Sequence, residues 1–348
     1  MTHPWLVFRE GTRLRWGGDL RRHYLLDRLA RRTGARTTDA CTMKYIQPVL
    51  TAGAKGDEVP YIASAEFLEL NALTVSHERG KLTLLDVHDD IVLQQKASGI
   101  MLTPEEESSL ARSLSDNIGA FRFYSVPGEA LARIIGLDPA RTFVAWNGTD
   151  TQLLQPGPWP NDQAIAMVTG AAPGRGLEFL IEAARELRKT HTELRLLLFV
   201  VATSPGSQRY LDGIKALCRG EGWIAFTSCP YPELGRRLGE ATVLCAPHPP
   251  SRYWDAAAPV KVSDYLAVGR PVVTTPRVET IRLLDACGGG VVAEDDSLGA
   301  FVAAVDKLLC DEALARALGE QARASAEKLL DWAHIGDALA DWLLARVA

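Results

Sequence analysis

The sequence lacks the cysteine spacing that zinc sites and redox pairs need, because no two of its six cysteines form a C-x-x-C motif. It also lacks a P-loop, a serine nucleophile elbow and a complete G-x-G-x-x-G motif with a downstream acid. These absences argue against nucleotide hydrolysis at a P-loop, serine hydrolysis and dinucleotide binding. We therefore expect neither a metal nor a cofactor in this protein.

No segment of the sequence is long and apolar enough to cross a membrane. The most apolar run, Leu194 to Ala202, is far shorter than the roughly 20 residues that a spanning helix needs. The opening residues "MTHPWLVFREG" also lack the basic lead and apolar core of a signal peptide. We therefore expect a cytoplasmic protein.

The charge of the chain gives no support to a nucleic-acid partner. Its net charge is -5 and its pI is near 5.9, whereas nucleic-acid binders usually carry a basic excess. The first 36 residues are different, with nine arginines against three acids. This local excess is compatible with an anionic substrate or a peripheral contact at the inner membrane face, and equally with a solvated, arginine-rich helix face.

Short apolar runs alternate with amphipathic helices, and this pattern occurs twice. It predicts an α/β protein with two Rossmann-like domains facing a cleft. Prolines between 153 and 163 mark a linker, so we place an N-terminal domain at 1–155, a C-terminal domain at 156–330 and a final helix at 331–348. The predicted strands include Trp5–Phe8, Tyr61–Ser64, Leu82–Val87, Phe143–Trp146 and Ala164–Gly170.

The segment "APVKVSDYLAVGRPVVTTP" carries the clearest candidate site. Pro259 suits the start of a helix and Gly269 its end, which places Lys261 and Asp264 one turn apart near the positive end of the helix dipole. A phosphate would find backbone N–H groups and an ammonium there, and the carboxylate would suit a ribose diol. The same spacing is also that of an exposed Lys–Asp ion pair.

Three other loops have the composition of ligand sites. In "AAPGRG", Arg175 stands where an anion would meet the next helix, and Gly17 and Gly18 open a helix in the first half. In "LLDVHDD", His88 follows a buried strand and would suit the positioning or deprotonation of a hydroxyl. Each of these also has an ordinary structural interpretation, as a tight turn or as a helix cap with a surface histidine.

These segments, in this order, resemble the GT-B glycosyltransferases, in particular the retaining group called family 4. The resemblance extends over nearly the whole chain, through "WGGDLRRHYLLDRLA", "LLDVHDD", "FVAWNGTDTQLLQP" and "VTGAAPGRGLEFLIEAA". It is most specific in "PVKVSDYLAVGRPVV", which is similar to the family's P-x-K-x-x-E-Y-L-A-x-G-x-P-V-V block. The resemblance implies that the second domain binds the donor, the first binds the acceptor, and the C-terminal helices cross back onto the first domain.

The resemblance also implies roles for individual residues. Asp264 replaces the glutamate that usually binds ribose, and the family's first acid falls on Ala256, beside Asp255. His88 and Asp255 are the candidate catalytic residues. The candidate donor-binding residues are Gly17, Gly18, Arg175, Lys261 and Asp264.

The predicted function is transfer of a glycosyl group from a nucleoside diphosphate sugar to an acceptor hydroxyl or amine, with retention at the anomeric carbon. The acceptor is a small molecule or a lipid-linked one. Two alternatives stay open, a catalytically silent protein that binds sugar nucleotides and a nucleotide-sugar epimerase of the same fold. A product that forms from the donor alone would distinguish the epimerase.

Overall fold

The computed structural model describes residues 6–9, 17–39, 61–64 and 82–347. Within these ranges the strands form two parallel sheets of six strands each, connected by helices. The predicted α/β fold class is thereby confirmed. Trp5, predicted to begin the first strand, lies outside the described residues.

The first sheet has the strand order β2-β1-β3-β4-β5-β6, with every neighbouring pair parallel. Its strands are β1 (Leu6–Arg9), β2 (Arg36–Asp39), β3 (Tyr61–Ser64), β4 (Leu82–Asp86), β5 (Phe121–Val126) and β6 (Thr142–Val144). The helices in this half are α1 (Gly17–Arg21), a π-helical turn (Arg22–Leu26), α2 (Asp27–Thr33), α3 (Ile91–Ala97), α4 (Pro104–Ala120), α5 (Glu129–Ile134) and a 3-10 turn (Pro139–Arg141).

The second sheet has the order β12-β11-β10-β7-β8-β9 and is also parallel. Its strands are β7 (Ala164–Gly170), β8 (Arg195–Val201), β9 (Ile224–Thr227), β10 (Val243–Ala246), β11 (Val272–Thr274) and β12 (Gly290–Val292). The helices are α6 (Leu177–Leu187), α7 (Pro205–Leu217), α8 (Tyr231–Leu238), α9 (Arg252–Ala256), α10 (Val260–Ala267), α11 (Val278–Cys287), α12 (Leu298–Cys310), α13 (Glu312–Ser325), a π-helical turn (Ala326–Leu330) and α14 (Trp332–Val347).

The core of the second half lies on both faces of this sheet. Strand β7 is apolar almost throughout and its first four residues are fully buried, because helices cover both of its faces. Helix α6 buries Leu177, Leu180, Ile181, Ala184 and Leu187, the stripe predicted from its 3.6-residue period, and in addition Ala183. This packing holds the ends of the strands, and the loops that follow them, in fixed positions.

The last helix returns to the first half of the molecule. The chain is joined there by two backbone hydrogen bonds, from Thr149 N–H to the Leu330 carbonyl (2.8 Å) and from Trp332 N–H to the Thr149 carbonyl (3.1 Å). Helix α14 then packs on α2, where Arg28 forms an ion pair with Asp337 at 2.6 Å. The domain limits given by the sequence stay a prediction.

The arginine-rich start is largely paired with acids where the structure describes it. Arg28 and Arg32 face acids of α14, and Arg31 pairs with Asp27 one turn earlier on α2. Arg21 is fully buried and holds Asp86 at the end of β4, with Nη2 and Oδ1 2.7 Å apart. Much of the local positive charge is therefore balanced by acids of the same chain, at the surface for Arg28, Arg31 and Arg32 and in the interior for Arg21.

Candidate functional site

The candidate site lies where the loops after strands of the two sheets meet. The loop after β7, residues 171–176, approaches the end of α3 in the first half. A Cβ on Gly174 would lie 2.6 Å from the Ala97 carbonyl oxygen, and Arg175 Nη2 is 3.4 Å from Ser98 Oγ. The carboxyl ends of β4 and β7 therefore share one cleft, the usual place for a ligand in doubly wound sheets.

Two glycines make this loop possible. Gly174 and Gly176 have φ values of +70° and +81°, in the left-handed region that glycine adopts without strain. A Cβ on Gly176 would lie 2.0 Å from the Pro247 carbonyl oxygen, so no side chain fits there. Trp254 Nε1 donates a hydrogen bond to the Gly174 carbonyl at 2.9 Å and fixes the loop from α9.

The loop presents Arg175 beside a second cation, Lys261 of α10. Lys261 forms no ion pair or hydrogen bond with any residue of the described ranges, and Arg175 has no carboxylate within 4 Å among them. Burial, followed by the positive charge of Arg175, lowers the pKa of Lys261 to about 7. Two basic side chains thus lie close together with no carboxylate in ion-pair contact among the described residues, which is an arrangement that favours an anion.

His248, which the sequence reasoning missed, lies among these cations at the end of β10. Its side chain is fully buried, it stacks on Trp254 with ring centroids 4.0 Å apart, and neither ring nitrogen has a partner among the described residues. Burial, helped by the charges of Lys261 and Arg175, holds the pKa of His248 far below its usual range, so the ring is neutral. The only sequence signal was a histidine two residues after the strand "VLCA".

His88 and Asp89 lie on the opposite wall, after β4. Their Nε2 and Oδ2 atoms are 3.6 Å apart, and His88 Nδ1 has no partner in the described part of the chain. Burial lowers the pKa of His88 and raises that of Asp89. Tyr253 and Trp254 of α9 pack against Leu93 and Ala97 of α3, the helix that follows His88 and Asp89, so the two walls are in contact.

Gly17 and Gly18 begin α1, and the same short helix carries Arg21. Arg21 also donates from Nη1 to the Ala145 carbonyl (2.7 Å) and to Asn147 Oδ1 (3.1 Å). The buried pair of Arg21 and Asp86 thus fixes the glycine-bearing helix next to the strand that ends near His88. Sequence reasoning missed this pair, because a buried arginine looks no different from an exposed one in sequence.

Asp264 forms hydrogen bonds with residues other than Lys261. It is 3% exposed, and its Oδ1 accepts hydrogen bonds from Thr149 Oγ1 (2.9 Å) and the Tyr231 hydroxyl (3.0 Å). Burial raises its pKa to about 7. The alternative interpretation of this helix as an exposed Lys–Asp ion pair is wrong, because Asp264 is buried and is not paired with Lys261.

Asp255 lies on α9 and faces Arg277. Its Oδ1 is 3.3 Å from Arg277 Nη1, and Arg277 also pairs with Asp296. The structure therefore brings Arg175, Lys261 and His248 together on one wall and His88 on the other. It places Asp255 and Asp264 in separate contacts at the edges of this group.

The chain is similar to glycosyltransferases, both in a family model and in solved structures. Residues 163–311 match the family model described as Glycosyl transferases group 1. No curated protein sequence matches the chain. The Anabaena protein HepE, solved with UDP and glucose, has a TM-score of 0.71 at 14% identity, with 98% of this chain and 99% of that chain covered.

Two further solved structures have the same architecture. Sucrose-phosphate synthase from Thermosynechococcus elongatus has a TM-score of 0.70 at 16% identity, covering 87% of this chain and 77% of that one. WaaG, a glycosyltransferase involved in lipopolysaccharide biosynthesis, has a TM-score of 0.64 at 15% identity, covering 97% and 99%. The fold is that of the GT-B glycosyltransferases, so the fold that the resemblance implied is confirmed.

Among the described helices, none combines the length and the hydropathy needed to cross a bilayer.

Proposed function

We propose that the protein transfers a glycosyl group from a nucleoside diphosphate sugar to an acceptor hydroxyl or amine, with retention at the anomeric carbon. The observation that carries this proposal is that Arg175 and Lys261, two neighbouring basic side chains, have no carboxylate in ion-pair contact among the described residues. A diphosphate is the anion that fits a site with two cations, glycine loops and a helix N-terminus. UDP and glucose bound to HepE support a donor of this class.

In this proposal the second half of the molecule binds the donor. Arg175 and Lys261 contact the diphosphate and stabilise the negative charge that it gains as the glycosidic bond breaks. The leaving diphosphate takes the bonding electron pair, and the anomeric carbon passes through an oxocarbenium-like state. The acceptor oxygen or nitrogen then bonds to that carbon and gives up its proton, for which His88 is the proposed acceptor. Removing one such cation is expected to cost on the order of 3 kcal/mol of transition-state stabilisation.

The remaining predicted residues keep proposed roles around the sugar and ribose. Neutral His88 is suited to accept a hydrogen bond, or a proton, from a sugar or acceptor hydroxyl. Asp264 Oδ2 accepts no hydrogen bond from a described residue, which leaves that oxygen to accept one from a ribose hydroxyl. Gly17 and Gly18 lie beneath the sugar and phosphates, and Asp255, oriented by Arg277, is the acid proposed near the transferred sugar.

We also propose the kind of acceptor, a transfer that needs no metal, and a cellular location. The resemblance favours a metal-independent transfer in the cytoplasm to a small or lipid-linked acceptor. A peripheral contact with the inner membrane face would use the basic start of the chain, although Arg28, Arg31 and Arg32 already face acids. No nucleic-acid partner is proposed, since the net charge is -5.

The test is a thermal-shift and hydrolysis screen of the purified protein against nucleoside diphosphates and their sugars, with UDP-sugars included. We expect one nucleotide sugar to raise the melting temperature selectively and to be hydrolysed slowly, with both effects lost in Lys261→Met. Stabilisation without hydrolysis or transfer would identify a silent binding protein instead. A new sugar isomer from the donor alone would identify an epimerase, and no shift with any nucleotide would contradict the donor site.

A further inference from the structure

A second polar cluster lies at the opposite end of the second sheet from the cleft. His191 is in the loop that precedes β8, and Asp306 and Cys310 are one turn apart at the end of α12. One ligand atom from each of these three residues lies within 4.8 Å of the others. They come from two elements that meet at the amino ends of the strands, whereas the candidate site lies at the carboxyl ends.

The hydrogen bonds around His191 determine which nitrogen faces the cluster. Gln163 Nε2 donates to the Leu309 carbonyl at 2.8 Å, so its Oε1 is turned towards His191 Nδ1, 2.9 Å away. Nδ1 therefore carries the hydrogen, and Nε2 faces Asp306 Oδ1 at 2.7 Å. In a neutral ring this places a nitrogen lone pair against a carboxylate, which is unfavourable unless a cation satisfies both groups. A proton fits the 2.7 Å contact as it stands, and a tetrahedral metal ion would hold the two atoms about 3.3 Å apart.

The other features of the cluster also favour a cation. Asp306 has no lysine or arginine partner within 4 Å among the described residues, and its ion-pair partner among them is His191. Cys310 ends α12, where the helix dipole is negative, and its side chain is exposed, which gives a metal a path from solvent. A histidine whose second nitrogen is held by an amide oxygen is the usual outer-shell arrangement of a metal ligand.

We propose that His191 Nε2, an Asp306 carboxylate oxygen and the Cys310 thiolate bind a divalent cation of the zinc class, with solvent completing a tetrahedral site. Imidazole, carboxylate and thiolate are the three ligand types that Zn²⁺ takes in proteins. Binding releases the proton of the Cys310 thiol to solvent, and any proton on His191 Nε2 leaves in the same step. Since the cluster is far from the cleft, this proposal is independent of the proposed transfer reaction.

The test uses Co²⁺ as a spectroscopic substitute in the full-length protein, stripped beforehand with a chelator. A cobalt–thiolate bond gives a near-ultraviolet charge-transfer band, which we expect to saturate at one equivalent and to disappear when Zn²⁺ is added. Cys310→Ser and His191→Gln should lose the band, while Cys229→Ser, a partly exposed cysteine outside the cluster, should keep it. Gln163→Leu should weaken Zn²⁺ binding on the order of 10-fold to 100-fold, because it frees the histidine ring.

Circular dichroism of each variant checks that the fold is kept. We expect it to be kept, because the three residues lie at or near the surface. A saturable band that depends on Cys310 and His191 supports the site. The absence of a band, or a band of the same intensity in Cys310→Ser, would overturn it. Donor-induced thermal shifts should be the same with and without Zn²⁺, so failure of this proposal and failure of the donor site are separate results.

Discussion

Replacing Lys261 with methionine is expected to stabilise the ligand-free protein and, at the same time, to prevent donor binding. The pKa of Lys261 falls from the ordinary lysine value of 10.5 to about 7. This difference corresponds to on the order of 5 kcal/mol against the charged form. Because part of the side chain still contacts solvent, we expect an apolar side chain of similar length to recover about 1–3 kcal/mol of this.

The pH dependence of this effect has a definite sign. Below pH 7 the lysine is charged in both the folded and the unfolded protein, so its full destabilising effect is present there. As the pH rises from about 7 to 10.5, the folded protein has lost the proton and the unfolded protein still binds it, so the penalty decreases. The difference in stability between Lys261→Met and the wild type should therefore be largest near pH 6 and small near pH 10.

The assay is thermal unfolding at several pH values, with and without the stabilising nucleotide sugar. At pH 6 we expect Lys261→Met to raise the melting temperature by about 2–4 °C for each kcal/mol recovered. The matched control is Lys189→Met, since this exposed lysine pairs with Glu186 at 2.6 Å and should change stability by a few tenths of a kcal/mol. A lower melting temperature for Lys261→Met at pH 6, or a donor-induced shift that survives the substitution, would refute the reasoning.

Three further substitutions test other parts of the site. Arg175→Ala should lower kcat/KM about 100-fold with little change in unfolding, because it removes a cation from the leaving group; a loss of less than tenfold would count against this role. Gly176→Ala should reduce stability and donor binding together, since a Cβ there would lie 2.0 Å from a backbone carbonyl oxygen. Urea unfolding measures the loss of stability, and Gly213→Ala is the control, because the space around Gly213 is open. Thr149→Val should destabilise the protein by about 1–3 kcal/mol, because it removes a hydrogen-bond donor to Asp264. The loss should be larger at pH 8 than at pH 5, because the Asp264 carboxyl becomes charged as the pH rises through 7. Equal losses at both pH values in chemical denaturation would contradict this.

Much of the fold could be predicted because burial on both faces makes parallel strands continuously apolar. Strand β7 was predicted at Ala164–Gly170 and is found there. The strand predicted at Phe143–Trp146 begins and ends earlier, at Thr142–Val144. The strand ends before Ala145 because the Ala145 carbonyl accepts a hydrogen bond from Arg21 Nη1 at 2.7 Å and not from a neighbouring strand.

The candidate site was only partly predictable, since its electrostatics depend on burial. Arg175 and Lys261 were identified by their places at helix starts, and their lack of acidic partners within the described ranges is visible only in the structure. His248 had no helical or glycine context to mark it in the sequence. Whether a histidine is buried without partners is decided by what packs around it, here the ring of Trp254.

Asp264 joins α10 to the segment that follows β6. The resemblance implied a residue that reaches for a ribose, and the structure shows a carboxylate bound through Oδ1 to Thr149 of that segment and to Tyr231. The neighbouring Ser263 donates to the Asn147 carbonyl at 2.6 Å, and Asn147 donates to the Ala258 carbonyl, so α10 is joined to this segment at several points. If the proposed donor binds here, a ribose at Oδ2 would therefore bind a group that already couples α10 to the segment after β6.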